Sequence, residues 1–271
     1  RSGCRLQISH LQVVGASNWD KQARVLDQIE QARADGIDVA FDCYPYVAGS
    51  TVMTQLLPQS ALDGGLEALI ARLEDPDERK RIAAATNEVL EWRWNDIYIS
   101  AVHSDWNRQA VGCNLAELAE DWGRPPVDVM IELLIQERGQ VNILSFNQSE
   151  ENLRETLSHP LSIIISDGFY VRGRPHPRLH GTFPLLLGTI VRQRNWMSIE
   201  EAVHKIADLP ARRFQIKDRG RLASGYIADV TVFDANSVDS PATYDDPEQK
   251  PVGIKYVFRN GALLEGSACS G

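Results

Sequence analysis

The sequence predicts an α/β fold built on parallel strands, and three observations carry that prediction. Residues 161–168 run Leu-Ser-Ile-Ile-Ile-Ser-Asp-Gly, an apolar, β-branched stretch that delivers Asp167 to its own C-terminal end. A strand covered on both faces requires such a run. Residues 5–10 form a second short apolar strand, ending on Ser9-His10. Between the two, a helical pattern and a further apolar strand at 37–44 complete a strand-helix-strand unit, which implies parallel pairing. Where strands and helices alternate in a barrel, the C-terminal strand ends carry the chemistry, so His10 and Asp167 are the first candidates.

After the first strand, Asn18 is placed to cap a helix over 19–34, with Val25, Leu26 and Ile29 on one apolar face and Gly36 as its stop. The strand at 37–44 follows, and 44–51 then leaves the sheet as a loop. The stretch 58–148 breaks the rhythm: two charged helices (66–74 and 76–94), an apolar strand (97–102), two more helices (115–122 and 127–138) and a strand (141–146). An excursion of this length beside a strand end reads as an insertion or lid.

Beyond Asp167, the run 174–184 sets Pro175, Pro177 and Pro184 among Arg174, His176, Arg178 and His180. That is too rich in prolines and cations for a helix, so a loop near the substrate is expected, leading into an apolar helix at 185–193. Ser198 with Glu201 makes a capping box for a helix over 198–208, and Pro210 sits near the first position of another. The remainder is a small β element whose last strands, within 254–264, fold back at Asn260-Gly261, a hairpin signal. The expected organisation is an α/β body over 1–215, carrying 58–148 as insertion, and a β part over 216–271.

With 271 residues the chain can bury a sizeable core. A net charge of −9 and no local Lys/Arg cluster argue against a nucleic-acid surface. No apolar stretch approaches the length of a membrane span and no signal peptide opens the sequence, so no membrane partner is expected. Cys4, Cys43, Cys113 and Cys269 are scattered without a CxxC, which favours a reducing, cytoplasmic compartment over a disulfide framework. Small-molecule chemistry is the class that remains.

Each candidate also has an ordinary reading. His10 is either a metal-compatible strand-end residue or a core histidine satisfied by a backbone carbonyl. Asp167 is either a proton acceptor or a cap for the turn through Gly168. His176 and His180 suit a surface loop, Arg178 a structural carboxylate, His103 a structural place in the insertion, and Cys43 a small buried apolar position. Two strand ends bearing His and Asp, together with an Arg/His loop, still form a constellation that these separate readings explain poorly.

Five segments, in order, resemble a known family: Ile8-Ser9-His10-Leu11-Gln12; Asp42-Cys43-Tyr44-Pro45-Tyr46-Val47-Ala48-Gly49-Ser50-Thr51; Ser166-Asp167-Gly168; Arg174 through Pro184; and Arg219-Gly220-Arg221-Leu222 with Gly225 through Val230. They are similar to the D-aminoacylase, or N-acyl-D-amino-acid deacylase, branch of the metal-dependent amidohydrolases, over essentially the whole chain. The resemblance implies a zinc hydrolase on a (β/α)8 TIM-type barrel with a small β-sandwich, cleaving the amide of an N-acyl-D-amino acid. It implies that His10 stands for the zinc-ligand histidine ending barrel strand six and Asp167 for the carboxylate ending strand eight. Tyr46, Ser50 and Arg178 match substrate-side positions, Arg178 suiting a bidentate grip on a carboxylate. Zn2+ would activate water and polarise the amide, with Asp167 moving the proton.

Two departures follow from the same likeness. The family has lysine where this chain has Gln12, which puts the mode of carboxylate binding in question. Its His-x-His pair, bridging residue and strand-five histidine all precede strand six, and only Arg1 to Gly3 precede that strand here. About three strand-helix units cannot close a barrel, and one histidine falls short of a zinc site. The expectation is therefore a C-terminal part of a larger enzyme, with little activity alone, that pairs with itself or with a missing N-terminal half. The alternatives are a non-catalytic remnant serving as an assembly or interaction module, and an amidohydrolase for cyclic amides or N-carbamoyl compounds.

Overall fold

The computed structural model describes residues 3–90 and 92–266. Cys269, Arg1 and the end of the expected β part lie outside the described residues. In chain order the elements are β1 (Leu6–Ile8), α1 (Gln22–Ala34), β2 (Val39–Cys43), β3 (Ala48–Val52), α2 (Gly65–Glu74), α3 (Pro76–Val89), β4 (Ile97–Val102), α4 (Leu115–Trp122), α5 (Pro126–Gln136), β5 (Val141–Phe146), α6 (Glu150–Ser158) and β6 (Ser162–Ile164). Then come α7 (Arg178–Leu185), π turns over Leu186–Gln193, α8 (Ile199–Ile206), α9 (Asp208–Arg213) and strands β7 (Val230–Phe233), β8 (Ile254–Arg259) and β9 (Ala262–Gly266).

The parallel sheet that the sequence predicts is present, in the order β1-β2-β6, with Leu6 opposite Val39 and Phe41 opposite Ser162. Helix α1 covers it with the expected stripe, since Val25, Leu26 and Ile29 pack with Val39 and Phe41. On the other side of the chain's path, Leu153 and Leu157 of α6 join Ile164, Leu186, Ile190 and Cys43 in a second core. The molecule is thus α/β, with its parallel strands aligned so that residues 10, 44 and 167 all follow C-terminal strand ends.

The excursion between β2 and β6 forms its own antiparallel sheet, order β3-β5-β4, backed by α2 to α5 over the largest core of the molecule. Local signals set its helices. Asp75 accepts from the N–H groups of Asp77 and Glu78 ahead of Pro76, and Asn114 and Glu117 form a reciprocal capping box. At the tail, β7-β8-β9 is antiparallel, and Asn260 (φ 50°) and Gly261 (φ 79°) close the β8-β9 hairpin in the left-handed region a two-residue turn demands.

Three local expectations need correction. The helix after β1 begins at Gln22, preceded by a 3-10 turn over Ala16–Lys21 in which Asn18 bonds back to the Val14 carbonyl instead of capping. Tertiary bonds hold that turn, the Trp19 indole donating to the Asn147 carbonyl at 3.1 Å. The loop expected at 44–51 contains β3, because Val141–Phe146 offers a ladder partner that Gly49, Ser50 and Thr51 do not advertise locally. The run 174–184 is not all loop: α7 starts at Arg178, directly after Pro177. A proline before the first helical residue costs no hydrogen bond, and the N–H missing at Pro184 falls where the helix widens into π turns.

Candidate active site

Strand β1 delivers His10 in a left-handed conformation, φ 35°, with its side chain exposed. The ordinary reading, a satisfied core histidine, does not hold. What holds this backbone is Asp42, 5 % exposed near the end of β2. Its Oδ1 accepts the His10 N–H at 2.7 Å, its Oδ2 accepts Gln7 Nε2 at 2.8 Å, and its carbonyl accepts the Leu11 N–H at 2.7 Å. A non-glycine residue at positive φ persists only when its surroundings over-determine it, and here one buried carboxylate does so.

Two residues on, Tyr44 is buried and its ring lies under the Arg178 guanidinium, 4.5 Å from Cζ to the ring centroid. Its hydroxyl donates to Gln12 Oε1 at 3.0 Å and accepts from Gln148 Nε2 at 3.4 Å. Burial pushes that phenol above its ordinary range, so it stays protonated and able to donate. Gln12 Nε2 is buried with no partner.

Strand β6 ends two residues before Ser166, and Asp167 follows with φ 47°. Asp167 does not cap its own turn, since the Gly168 N–H bonds to Ser166 Oγ at 3.4 Å. Its Oδ2 instead pairs with Arg178 Nη2 at 2.9 Å. Gly168 is small of necessity, because a Cβ there would come within 2.9 Å of Leu179 Cα. The expected ordinary partner for Arg178, a carboxylate, is thus present, and it is the other candidate.

Arg178 is placed by His176, for which a surface loop is the ordinary reading of the sequence. The structure corrects this: His176 is buried, its Nε2 faces the Ala48 carbonyl at 3.0 Å, and its Nδ1 accepts the Arg178 N–H at 2.9 Å. Burial, reinforced by the neighbouring guanidinium, lowers its pKa from 6.5 to about 3, so it is a neutral strut. His180 is exposed as expected. His103 is structural in its backbone, donating to buried Glu137. Cys43 is fully buried, and desolvation pushes its thiol up to about 12.

The remaining candidates stand further off. Tyr46 packs edge-on against His176 at 4.9 Å, its buried hydroxyl beside Thr182, while the tyrosine ring that lies under Arg178 is that of Tyr44. Ser50 lies in β3 opposite Leu144. One chain of contacts therefore joins Gln12, Tyr44, Arg178 and Asp167, with His10 beside it through Asp42. The sequence reading missed Asp42 and Tyr44 as individuals. The available signal was a lone carboxylate in the buried run Val39-Ala40-Phe41-Asp42-Cys43, with Tyr44 two residues on and so on the same face by strand period.

Among the described residues no three His, Cys, Asp or Glu side chains come together to hold a metal ion. His10 is free to serve as one ligand, but Asp167 is engaged by Arg178, so these residues by themselves do not fit a zinc site.

The profile of the Amidohydrolase family (Amidohydro_3) matches residues 57–264. The chain is 35% identical over 264 residues to an N-acyl-D-glutamate deacylase of Alcaligenes xylosoxydans, covering 97% of this chain and 46% of that protein. It is 34% identical over 255 residues to a D-aminoacylase of the same organism, covering 94% and 44%. A crystal structure of N-acyl-D-glutamate deacylase from Bordetella bronchiseptica, complexed with zinc and a phosphonate mimic of the tetrahedral intermediate, superposes with a TM-score of 0.77 at 30% identity, over 98% of this chain and 48% of that one. The chain spans about half the length of the relatives it matches. On the family match it belongs to the Amidohydrolase family, and the relatives it is similar to are D-aminoacylases and N-acyl-D-amino-acid deacylases.

Proposed function

We propose that this chain supplies one half of an active site that hydrolyses the amide of N-acyl-D-amino acids, a small-molecule substrate, in a reducing, cytoplasmic setting. The observation that carries the reading is the contact chain from Gln12 through Tyr44 and Arg178 to Asp167, built on neighbouring parallel strand ends with His10 alongside. In this reading β1, β2 and β6 are consecutive strands of a (β/α)8 barrel, 58–148 is an insertion beside its mouth, and 216–271 is part of a small β-sandwich. Both edges of the three-stranded sheet end without a further strand among the described residues, which supports pairing with strands from elsewhere, whether another segment or another copy.

Arg178 takes the substrate carboxylate in its planar fork, and the Tyr44 ring, its hydroxyl held by Gln12, supports the guanidinium from below. Gln12 replaces a point charge with an amide, so the grip depends on Arg178. Tyr46 and Ser50 belong to the wall rather than to the grip. Asp167 accepts the proton from the attacking water at its carboxylate and returns it to the leaving nitrogen. His10 would serve as one ligand to Zn2+, which when bound would activate water, and the other ligands would come from outside these residues.

The test is a pair of measurements. Zinc titration of the purified chain is expected to give weak binding, and an assay on N-acyl-D-amino acids to give little or no activity. The chain within its complete reading frame is expected to be active, and Asp167→Asn there to lose activity by about a hundredfold or more. Tight stoichiometric zinc binding by the monomeric chain, or a complete enzyme that acts on hydantoins and leaves N-acyl-D-amino acids untouched, would contradict the reading.

A further inference from the structure

The Arg178 side chain is closed in. Only 2% of it is exposed, the ring of Tyr44 lies 4.5 Å and that of Phe169 5.6 Å from its Cζ, and its Nε–H has no acceptor among the described residues. Among the described residues its one ion pair is with Asp167, which is 35% exposed and so forms the solvent side of the pair. A guanidinium walled by two rings and covered by a carboxylate presents a place built for a carboxylate and already filled by one. The covering residue stands in a left-handed backbone on the turn after a three-residue strand, a position less anchored than the helix and neutral histidine that hold Arg178.

We infer that Asp167 and Arg178 form a latch opened by the substrate's own carboxylate: the incoming anion replaces Asp167 on the guanidinium, and the released Asp167 turns to the reacting amide. The inference rests on the reading of Arg178 as the carboxylate grip. The exchange swaps one anion for another, so the buried cation is never left unpaired, the state that would cost most. It also couples the two halves of the task. Asp167 becomes available for proton transfer when a correctly charged substrate is seated, and a ligand without a carboxylate leaves it engaged. No covalent bond is made or broken in the step.

The test uses the full 271-residue chain with N-acetylglycine as probe and N-acetylglycinamide, which lacks the carboxylate, as control. Asp167→Asn removes the competing charge while keeping a residue that tolerates φ of 47°. N-acetylglycine is expected to bind this variant about tenfold more tightly than the parent, the weight of one charge-assisted hydrogen bond, with the amide unaffected. In the parent chain, saturation with N-acetylglycine is expected to shift the Arg178 Nε–H resonance, identified by its loss in Arg178→Lys. Equal, weaker or undetectable binding by Asp167→Asn overturns the latch, as does an unmoved resonance. Arg178→Gln in the Asp167→Asn background, which removes the cation, separates the two ideas. Retained binding there means that the carboxylate is taken elsewhere and the grip reading fails. Lost binding there, with no gain in Asp167→Asn alone, leaves the grip standing and removes the latch.

Discussion

The insertion and the parallel sheet bury their apolar faces in different ways. In the insertion, Leu69, Leu73, Ile97, Ile99, Leu115, Met130, Leu133 and Ile143 are essentially inaccessible and belong to one continuous core. Its buried carboxylate is saturated: Glu137 accepts from the N–H groups of His103 and Ser104, the Ser104 hydroxyl and Asn107 Nδ2. The parallel sheet has strands of three to five residues and a small core under α1, and its first strand leaves Leu6 half exposed. Near its C-terminal ends an amide N–H (Gln12) and a guanidinium N–H (Arg178) are buried without partners among the described residues, and His10 and Asp167 hold left-handed backbones. The larger apolar core thus lies in the insertion, and although the insertion has its own unsatisfied Ser100 hydroxyl and left-handed Arg138, the strand ends combine such features with a much smaller core.

The largest expected effect tests that division directly. Leu133→Ala, in the insertion core, should cost about 3 kcal/mol in urea unfolding, whereas Leu6→Ala on the exposed strand should stay within about 0.5 kcal/mol. Equal costs would break the comparison.

His176 joins the two regions, through Ala48 in β3 and the backbone of Arg178, and its titration should be visible. Its folded pKa of about 3 lies below the ordinary 6.5, so the unfolded chain binds that proton first. The stability it contributes is complete above pH 6.5 and declines as pH falls toward 3, by at most about 1.4 kcal/mol per unit. His176→Gln should flatten the plot of urea midpoint against pH across that window; an unchanged slope would show that the strut is not neutral.

Gly173 is the next point of attachment. It bridges to Ala101, and a Cβ there would come within 2.4 Å of the Ser100 carbonyl. Gly173→Ala should cost about 1–3 kcal/mol and raise amide exchange in 168–174, the loop that follows Asp167. If exchange rises in the insertion core instead, the loop is not tethered at this point.

The smallest effect sharpens the comparison from the insertion side. Burial pushes the Glu137 carboxyl up, but the bonds from Ser104, Asn107 and His103 outweigh it and hold it below its ordinary 4.5. Its contribution is present above that ordinary value and lost as pH falls through the lower folded one. Glu137→Gln should remove this acid sensitivity, read as a smaller drop in thermal midpoint on acidification than the parent shows.

Much of the fold was legible because its signals are local. The Asn114-Glu117 box, the Asn260-Gly261 turn and the apolar runs at 97–102 and 141–146 each state their own conformation. The failures lie where a distant partner overrides weak local preference. Gly49-Ser50-Thr51 became strand against β5, and the Pro-rich run after Arg174 became helix because Pro177 stands just before it and Pro184 just before the π turns. For the site, strand-end logic reached His10 and Asp167. It left His176 between a surface loop and a substrate-side one, because an imidazole flanked by two prolines gives no sign of the buried carbonyl of Ala48 that awaits it.

By itself the sequence determined which residues sit at the strand ends and what they are chemically, an imidazole and a carboxylate, since strand period and β-branched runs depend only on neighbours along the chain. Tertiary structure alone decided who faces whom. Arg178 lies eleven residues beyond Asp167 and far from Tyr44 in sequence, and only the closing of the 168–177 loop over β2 sets its charge against one and on the ring of the other. Ion pairs and ring contacts of this kind fall off within a few ångströms, a scale that the linear order of residues does not encode.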